Sequence, residues 1–193
     1  MGTESQKLHP IIKNRISPYA FSKQTIEKED LLLLFDAARR APSSFNEQPW
    51  RFVYATKDAE EEFNKLLSIL MEGNKTWAIN APVIGISIAK LNFSYNGNPN
   101  RFAIYDVGQA MGGLLAQATN MGIKVHQMGG YYLDKASDVL GLPMGYEPVA
   151  MFVLGYPGDP EDLPDDLKRK ELRKRSRKSI EEFVSSGNFN FES

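Results

Sequence analysis

The sequence predicts a single α+β domain, and three observations carry that prediction. Helical and strand-like segments follow one another without the clean strand–helix–strand units that wind a parallel sheet. Residues 81–90 (APVIGISIAK) and 147–157 (EPVAMFVLGYP) are nearly continuous apolar runs of strand length, as expected for strands covered on both faces. The 193 residues, 42% hydrophobic and 24% charged, fit one domain (1–193) with a sizeable core.

The elements follow in order. In IEKEDLLLLFDAARRA, the residues Ile26, Leu31, Leu34, Phe35 and Ala38 recur at helical spacing. The carboxylates of Glu27, Glu29 and Asp30 sit where the positive helix start favours them, and Pro42 sets an end. The loop PSSFNEQP leads into WRFVYAT, a strand by its aromatic and β-branched content. Residues 57–71 place Phe63, Leu66, Leu67 and Leu70 on one face of an amphipathic helix, which Gly73 and Asn74 end. After the strand at 81–90, residues 91–100 (LNFSYNGNPN) are a loop.

A long helix is expected from Phe102 to Met121. Its small residues Gly108, Ala110, Gly112, Gly113, Ala116 and Ala118 require close packing, against either a second copy or the same subunit, because each interior glycine costs about 1 kcal/mol. HQMGGYY is expected to be a turn, DKASDVLGL a short helix and residues 147–157 the last strand. Beyond Gly155 come an acidic stretch (DPEDLPDD) and a basic one (KRKELRKRSRK), a charge pattern typical of a solvated extension over 159–193.

Composition narrows the chemistry. With no cysteine, disulfides, thiolate metal sites and cysteine nucleophiles are excluded, so redox chemistry would need a bound cofactor. His9 and His126 are the two imidazoles, and neither lies in a ligand motif; no metal site is expected. A net charge of −1 gives no overall field toward nucleic acid or an anionic membrane. No apolar run is long enough to span a bilayer and MGTESQKLHP has no apolar leader, so a cytoplasmic location is expected.

Several segments carry polar groups suited to a ligand. The loop Pro42, Ser43, Ser44, Phe45, Asn46, Glu47, Gln48, Pro49 sets two hydroxyls and two primary amides between prolines that restrict the backbone. It suits a flat polar ring edge as well as a self-satisfied turn. Met128, Gly129 and Gly130 allow backbone N–H groups to approach a planar ligand, or form an ordinary tight turn. Arg175 and Arg177 lie among eight basic residues spanning 168–178, where a guanidinium fork suits phosphate. A nucleic-acid arm fits less well, because aromatics are missing and five carboxylates precede it.

Taken together, these segments resemble the nitroreductase family of FMN-dependent enzymes. The matching stretches are Arg15 to Phe21 (RISPYAF), Ala41 to Trp50 (APSSFNEQPW), Tyr105 to Gly108 with Leu114 to Gly122, Met128 to Tyr131, Val153 to Pro157, and Arg175, Ser176 and Arg177 with the tail to Val184. The resemblance spans about 12–184. It implies a three-layer fold with a central, mostly antiparallel sheet between helices, and a C-terminal segment extending onto a partner subunit.

It further implies a homodimer with FMN at its interface. Arg15, Ile16, Ser17, Tyr19, Arg175 and Arg177 would hold the phosphate and ring edge, and Asn74 and Gln127, Met128, Gly129 and Gly130 would line the ring. Pro42, Ser43, Ser44 and Asn46 would come from the other subunit. NADH or NADPH would be the reductant, a small electron-poor molecule such as a nitroaromatic or quinone the acceptor, and no side chain is assigned as catalytic acid or base. Two positions depart from the pattern. Ile16 replaces a usual arginine or histidine, and Tyr19 a cation that compensates the reduced ring. A second reading, from the binding class, is a flavoprotein that stores or senses FMN without turnover; the resemblance also covers reductive dehalogenation and flavin fragmentation, for whose lids the short 91–100 connection leaves little room.

Overall fold

A computed structural model describes residues 7–191; residues 1–6 and 192–193, the ends of the expected domain, lie outside it. The elements are α1 (Pro10–Lys13), α2 (Lys28–Ala38), β1 (Trp50–Thr56), α3 (Glu60–Leu67), α4 (Glu72–Ala78), β2 (Val83–Lys90), α5 (Ala103–Asn120), β3 (Lys124–Met128), α6 (Leu133–Leu140), β4 (Tyr146–Gly155) and α7 (Asp165–Leu172). The strands form one sheet in the order β1-β2-β4-β3, and all three pairings are antiparallel.

Both central strands are buried on two faces, as their apolar runs require. Successive side chains point to opposite faces, so Ile84, Ile86, Ile88, Met151 and Val153 meet α3, α4, α6 and α7. Val83, Ala89, Phe152 and Leu154 meet α2 and α5. Gly85 on β2 makes room for the Phe152 ring, since a Cβ there would come within 2.4 Å of it.

The glycines of α5 divide by role. A Cβ on Gly113 would approach the Ala37 carbonyl to 2.8 Å, so this glycine lets α2 and α5 close on each other within the subunit. Gly108 and Gly112 have no neighbour within 4 Å of a Cβ. They lie one turn apart on a face shared with exposed Ile104.

Four elements differ from the sequence expectation. The helix expected over 57–71 is shorter: Lys57 and Ala59 are in a turn, and Leu70 bridges to Tyr131. Asn74, expected after a helix, lies within α4, which forms despite Gly73 because Trp77 and Ala78 are buried. The expected turn at 126–132 begins as edge strand β3, so Gln127 and Met128 are paired with β4 and the turn proper starts at Gly129. The acidic part of the 159–193 extension is not simply solvated. Leu163 and Leu167 are buried, and α7 carries Asp165 and Asp166 in its first turn with Arg169 and Lys170 in its last, complementing the helix dipole. Over residues 173–191 the chain is almost wholly exposed.

Candidate functional site

At the β3 edge the N-terminal motif and the C-terminal arginines meet. The half-buried Arg15 donates from Nη1 to Ser17 Oγ at 3.0 Å, and Arg175 donates from Nη2 to the Ser17 carbonyl at 2.7 Å. Arg177 folds back, with Nη1 donating to the Ser176 carbonyl at 2.8 Å. Burial lowers the pKa of the Arg15 guanidinium, and the positive charges of Arg175 and Arg177 lower it further. Among the described residues none of the three arginines is in an ion pair. Two guanidinium groups on Ser17 and a third whose charge reaches Arg15, none ion-paired among the described residues, form a setting that an anion stabilises.

Next to Ser17 the chain is locked into an aromatic stack. His126 on β3 donates from Nδ1 to the Pro18 carbonyl at 2.7 Å, because a carbonyl can only accept. Its ring lies 4.5 Å from that of Trp77, and the Tyr19 ring stands edge-on to Trp77 at 5.1 Å and to His126 at 4.9 Å. Burial lowers the His126 pKa, the bond to Pro18 opposes this, and Arg175 and Arg15 add to the lowering, so the ring is neutral at pH 7. The Tyr19 N–H is also engaged, donating to Glu171 Oε2 at 2.6 Å. Tyr19 therefore supplies packing where a cation was the usual residue, and Ile16 is exposed beside it.

Further along the same strand edge, β3 runs out into the glycine turn. The Gly130 carbonyl accepts from the Met71 N–H at 3.1 Å and from Asn74 Nδ2 at 3.0 Å. A Cβ on Gly130 would sit 2.6 Å from Asn74 Nδ2, so the amide is seated only because residue 130 has no side chain. At Gly129 a Cβ would meet nothing within 4 Å. Met128 is buried and Gln127 exposed. The structure thus gathers Arg15, Ser17, Arg175, Asn74, Gly129 and Gly130 along one edge of the sheet.

The loop before β1 belongs to the opposite edge of the sheet, where β1 lies three strand spacings, about 14 Å, from β3. No hydrogen bond joins it to the first group among the described residues. The Ser44 N–H donates to Asp106 Oδ2 at 3.0 Å, and Ser43 Oγ accepts from the Gln48 N–H at 3.0 Å. Asp106 is 2% exposed, a carboxylate set into the buried stripe of α5. Pro42, Ser43 and Ser44 line a shallow cleft of about 290 Å³ with Phe102, Tyr105, Asp106 and Gln109. Asn46 is exposed in a left-handed conformation. A larger cleft, about 560 Å³, lies behind Tyr19 and is lined by Asp159 and Asp162 with Lys23, a poor setting for an anion.

Sequence reasoning missed Asp106 and Glu47 as the anchors of this loop. Asp106 was detectable as a carboxylate at helical spacing from Ala103, Val107 and Ala110. Glu47 carried no signal of its own.

The fold sets an arginine cluster and a glycine turn along one edge of an antiparallel sheet. Residues 12–156 match the model of the Nitroreductase family. The chain belongs to that family, and so to the oxidoreductases. A solved structure described as an oxidoreductase containing FMN is 35% identical, covers 100% of both chains and superposes with a TM-score of 0.92. A protein of Archaeoglobus fulgidus named putative NADH dehydrogenase/NAD(P)H nitroreductase is 28% identical over 173 residues, 83% of this chain and 96% of its own. A nitroreductase family protein from Clostridium difficile, 23% identical, shares the fold at a TM-score of 0.72 over 93% of this chain and 98% of its own.

Proposed function

We propose that the protein is a homodimeric, cytoplasmic FMN-dependent oxidoreductase that passes reducing equivalents from NADH or NADPH to an electron-poor acceptor such as a nitroaromatic or a quinone. The observation that carries this reading is the pair of guanidinium groups on Ser17, with the charge of Arg177 close to Arg15 and none of the three ion-paired among the described residues, on the same sheet edge as the Asn74–Gly130 turn.

The residues fit the cofactor at both of its ends. Arg15, Arg175 and Ser17 offer charge-assisted donors for the phosphate, with Arg177 close enough to add its field. Gly129 leaves an approach clear of side chains to the backbone beside the ring. Asn74, tied to Gly130 through Nδ2, keeps Oδ1 as an acceptor for a ring-edge N–H. When bound, FMN supplies a two-electron relay, so that NAD(P)H and a proton are consumed as a quinone becomes a hydroquinone. The chain provides position and charge for this exchange rather than an acid or base of its own.

The homodimer reading rests on surfaces that a single subunit leaves uncovered. Ile104 and Tyr105 are exposed on α5, beside the open Gly108 and Gly112. The segment after α7 carries exposed Ile180, Phe183 and Val184, apolar residues suited to lying on a second copy. A second copy would also bring the loop of Pro42, Ser43, Ser44 and Asn46 to the edge that its own subunit keeps it from. The test is titration of apoprotein with FMN and with riboflavin, alongside light scattering for mass. One FMN per subunit in a dimer, with riboflavin bound far more weakly, is expected; equal affinity for the two flavins contradicts the phosphate site.

A further inference from the structure

Phe45, in the middle of the loop before β1, is 80% exposed, yet its backbone is held in the left-handed region at φ 53°. Asn46 and Gln48 share that conformation, at φ 53° and 52°. Left-handed backbone is unfavourable for residues other than glycine, least so for Asn, so three within four positions persist only where surrounding contacts over-determine the loop.

Those contacts are present. The Glu47 side chain, 5% exposed, accepts from the Ser94 N–H at 2.9 Å, from Ser94 Oγ at 2.5 Å and from Lys90 Nζ at 3.3 Å. Burial pushes the Glu47 pKa up, but these hydrogen bonds and the charge of Lys90 outweigh burial and hold it below the usual carboxylate range. The Lys90 N–H donates to the Pro49 carbonyl at 2.8 Å. Residues 91–100 close into a small hairpin, with Phe93 N–H donating to Asn98 and Gly97 N–H to Phe93, both at 2.9 Å, and a bridge between Asn92 and Pro99. These contacts join the two loops into one unit.

That unit displays three rings. Phe45 stands edge-on to Phe93 at 5.6 Å and tilted to Tyr95 at 6.0 Å, while Phe93 and Tyr95 lie 5.3 Å apart. Tyr95 is 63% exposed as well. Strain and a half-buried ion pair support rings that add almost nothing to the core, which indicates a ligand rather than a folding role.

We propose that Phe45, Phe93 and Tyr95 form a preformed aromatic platform that selects planar aromatic acceptors over compact, non-aromatic ones. This rests on the reading that the Ser43–Asn46 loop borders the cofactor of a second copy. A flat electron-poor ring has a positive face quadrupole that complements the electron-rich faces of these side chains. Phe45 sits on the same loop as Ser43 and Ser44, so an acceptor held by the platform lies beside the cofactor rather than on a remote surface.

The test uses the FMN-loaded dimer and three variants, Phe45→Ala, Phe45→Tyr and Tyr95→Ala. Kinetics with 1,4-naphthoquinone and with ferricyanide give the ratio of the two kcat/KM values. Calorimetry gives the dissociation constant of 2-naphthoate, a planar aromatic that is not reduced. One ring contact corresponds to about two- to tenfold, so Phe45→Ala and Tyr95→Ala are each expected to lower the ratio and weaken 2-naphthoate by that factor, and Phe45→Tyr to restore both. An unchanged ratio with unchanged 2-naphthoate binding overturns the platform while leaving the FMN reading intact. A Phe45→Ala protein that becomes monomeric overturns it in favour of a subunit contact. Wild-type protein that binds FMN but consumes no NADH or NADPH with either acceptor overturns both readings.

Discussion

The glycine pair after β3 separates a folding role from a cofactor role one residue apart. At Gly129 an added Cβ meets nothing within 4 Å and the backbone is not left-handed, so Gly129→Ala is expected to leave the apoprotein's stability within about 0.5 kcal/mol of wild type. If the cofactor fills that space, the methyl overpacks the complex by about 1–3 kcal/mol, a loss of about 5- to 150-fold in FMN affinity.

Gly130→Ala has the opposite signature. Its Cβ would lie 2.6 Å from Asn74 Nδ2, so the amide moves and its 3.0 Å bond to the Gly130 carbonyl is broken or stretched. The apoprotein should lose about 1–3 kcal/mol, a melting shift of roughly 2–10 °C for a chain of this size. Adding Asn74→Ala to Gly130→Ala removes the clash and should return part of the loss, which a double-mutant cycle reads as coupling. The assays are thermal melts of the apoprotein and quenching of FMN fluorescence on titration. Gly129→Ala protein that binds FMN as tightly as wild type would refute the placement of the cofactor at this turn.

Other expectations follow from the same geometry. Arg175→Ala removes a charge-assisted donor worth about 1.5–3 kcal/mol, so FMN affinity should fall roughly 10- to 150-fold in a titration while riboflavin affinity stays level. Gly112→Leu adds a side chain where the subunit has open space; light scattering should show monomers with an intact circular dichroism spectrum, and an unchanged dimer would place the interface elsewhere. His126 has a lowered folded-state pKa, so the native state binds fewer protons than the unfolded chain below the ordinary value of about 6.5. Stability should therefore decline as pH falls from about 7 toward the folded-state pKa. His126→Phe should flatten that part of a melting-temperature profile, and a parallel profile would assign the decline to other groups.

Much of the fold was legible because two strands and one long helix are buried in ways that sequence records directly. Ile84, Ile86 and Ile88 alternate with Val83, Gly85 and Ala89 between two helical layers, and both sets are apolar. Short elements were not legible, since tertiary contacts decide them: α4 is held by Trp77, and β3 by its pairing with β4. In the terminal charge run the clustered Asp and Glu residues masked Leu163 and Leu167, two leucines four apart that anchor α7. The arginine and glycine candidates were readable by type, but their convergence was not, because Ser17 and Arg175 are 158 residues apart in the chain. Tyr19 marked a departure by resemblance alone, and only its stack with Trp77 and His126 shows what replaced the missing cation.

The most direct test of the central claim is an anaerobic absorbance spectrum of the FMN-loaded protein before and after NADH, then NADPH, then a quinone. Hydride relay through a bound flavin predicts that the visible flavin band bleaches with at least one nucleotide and returns on adding the quinone. A band that remains unchanged with both nucleotides contradicts the account and leaves a protein that holds FMN without turning it over.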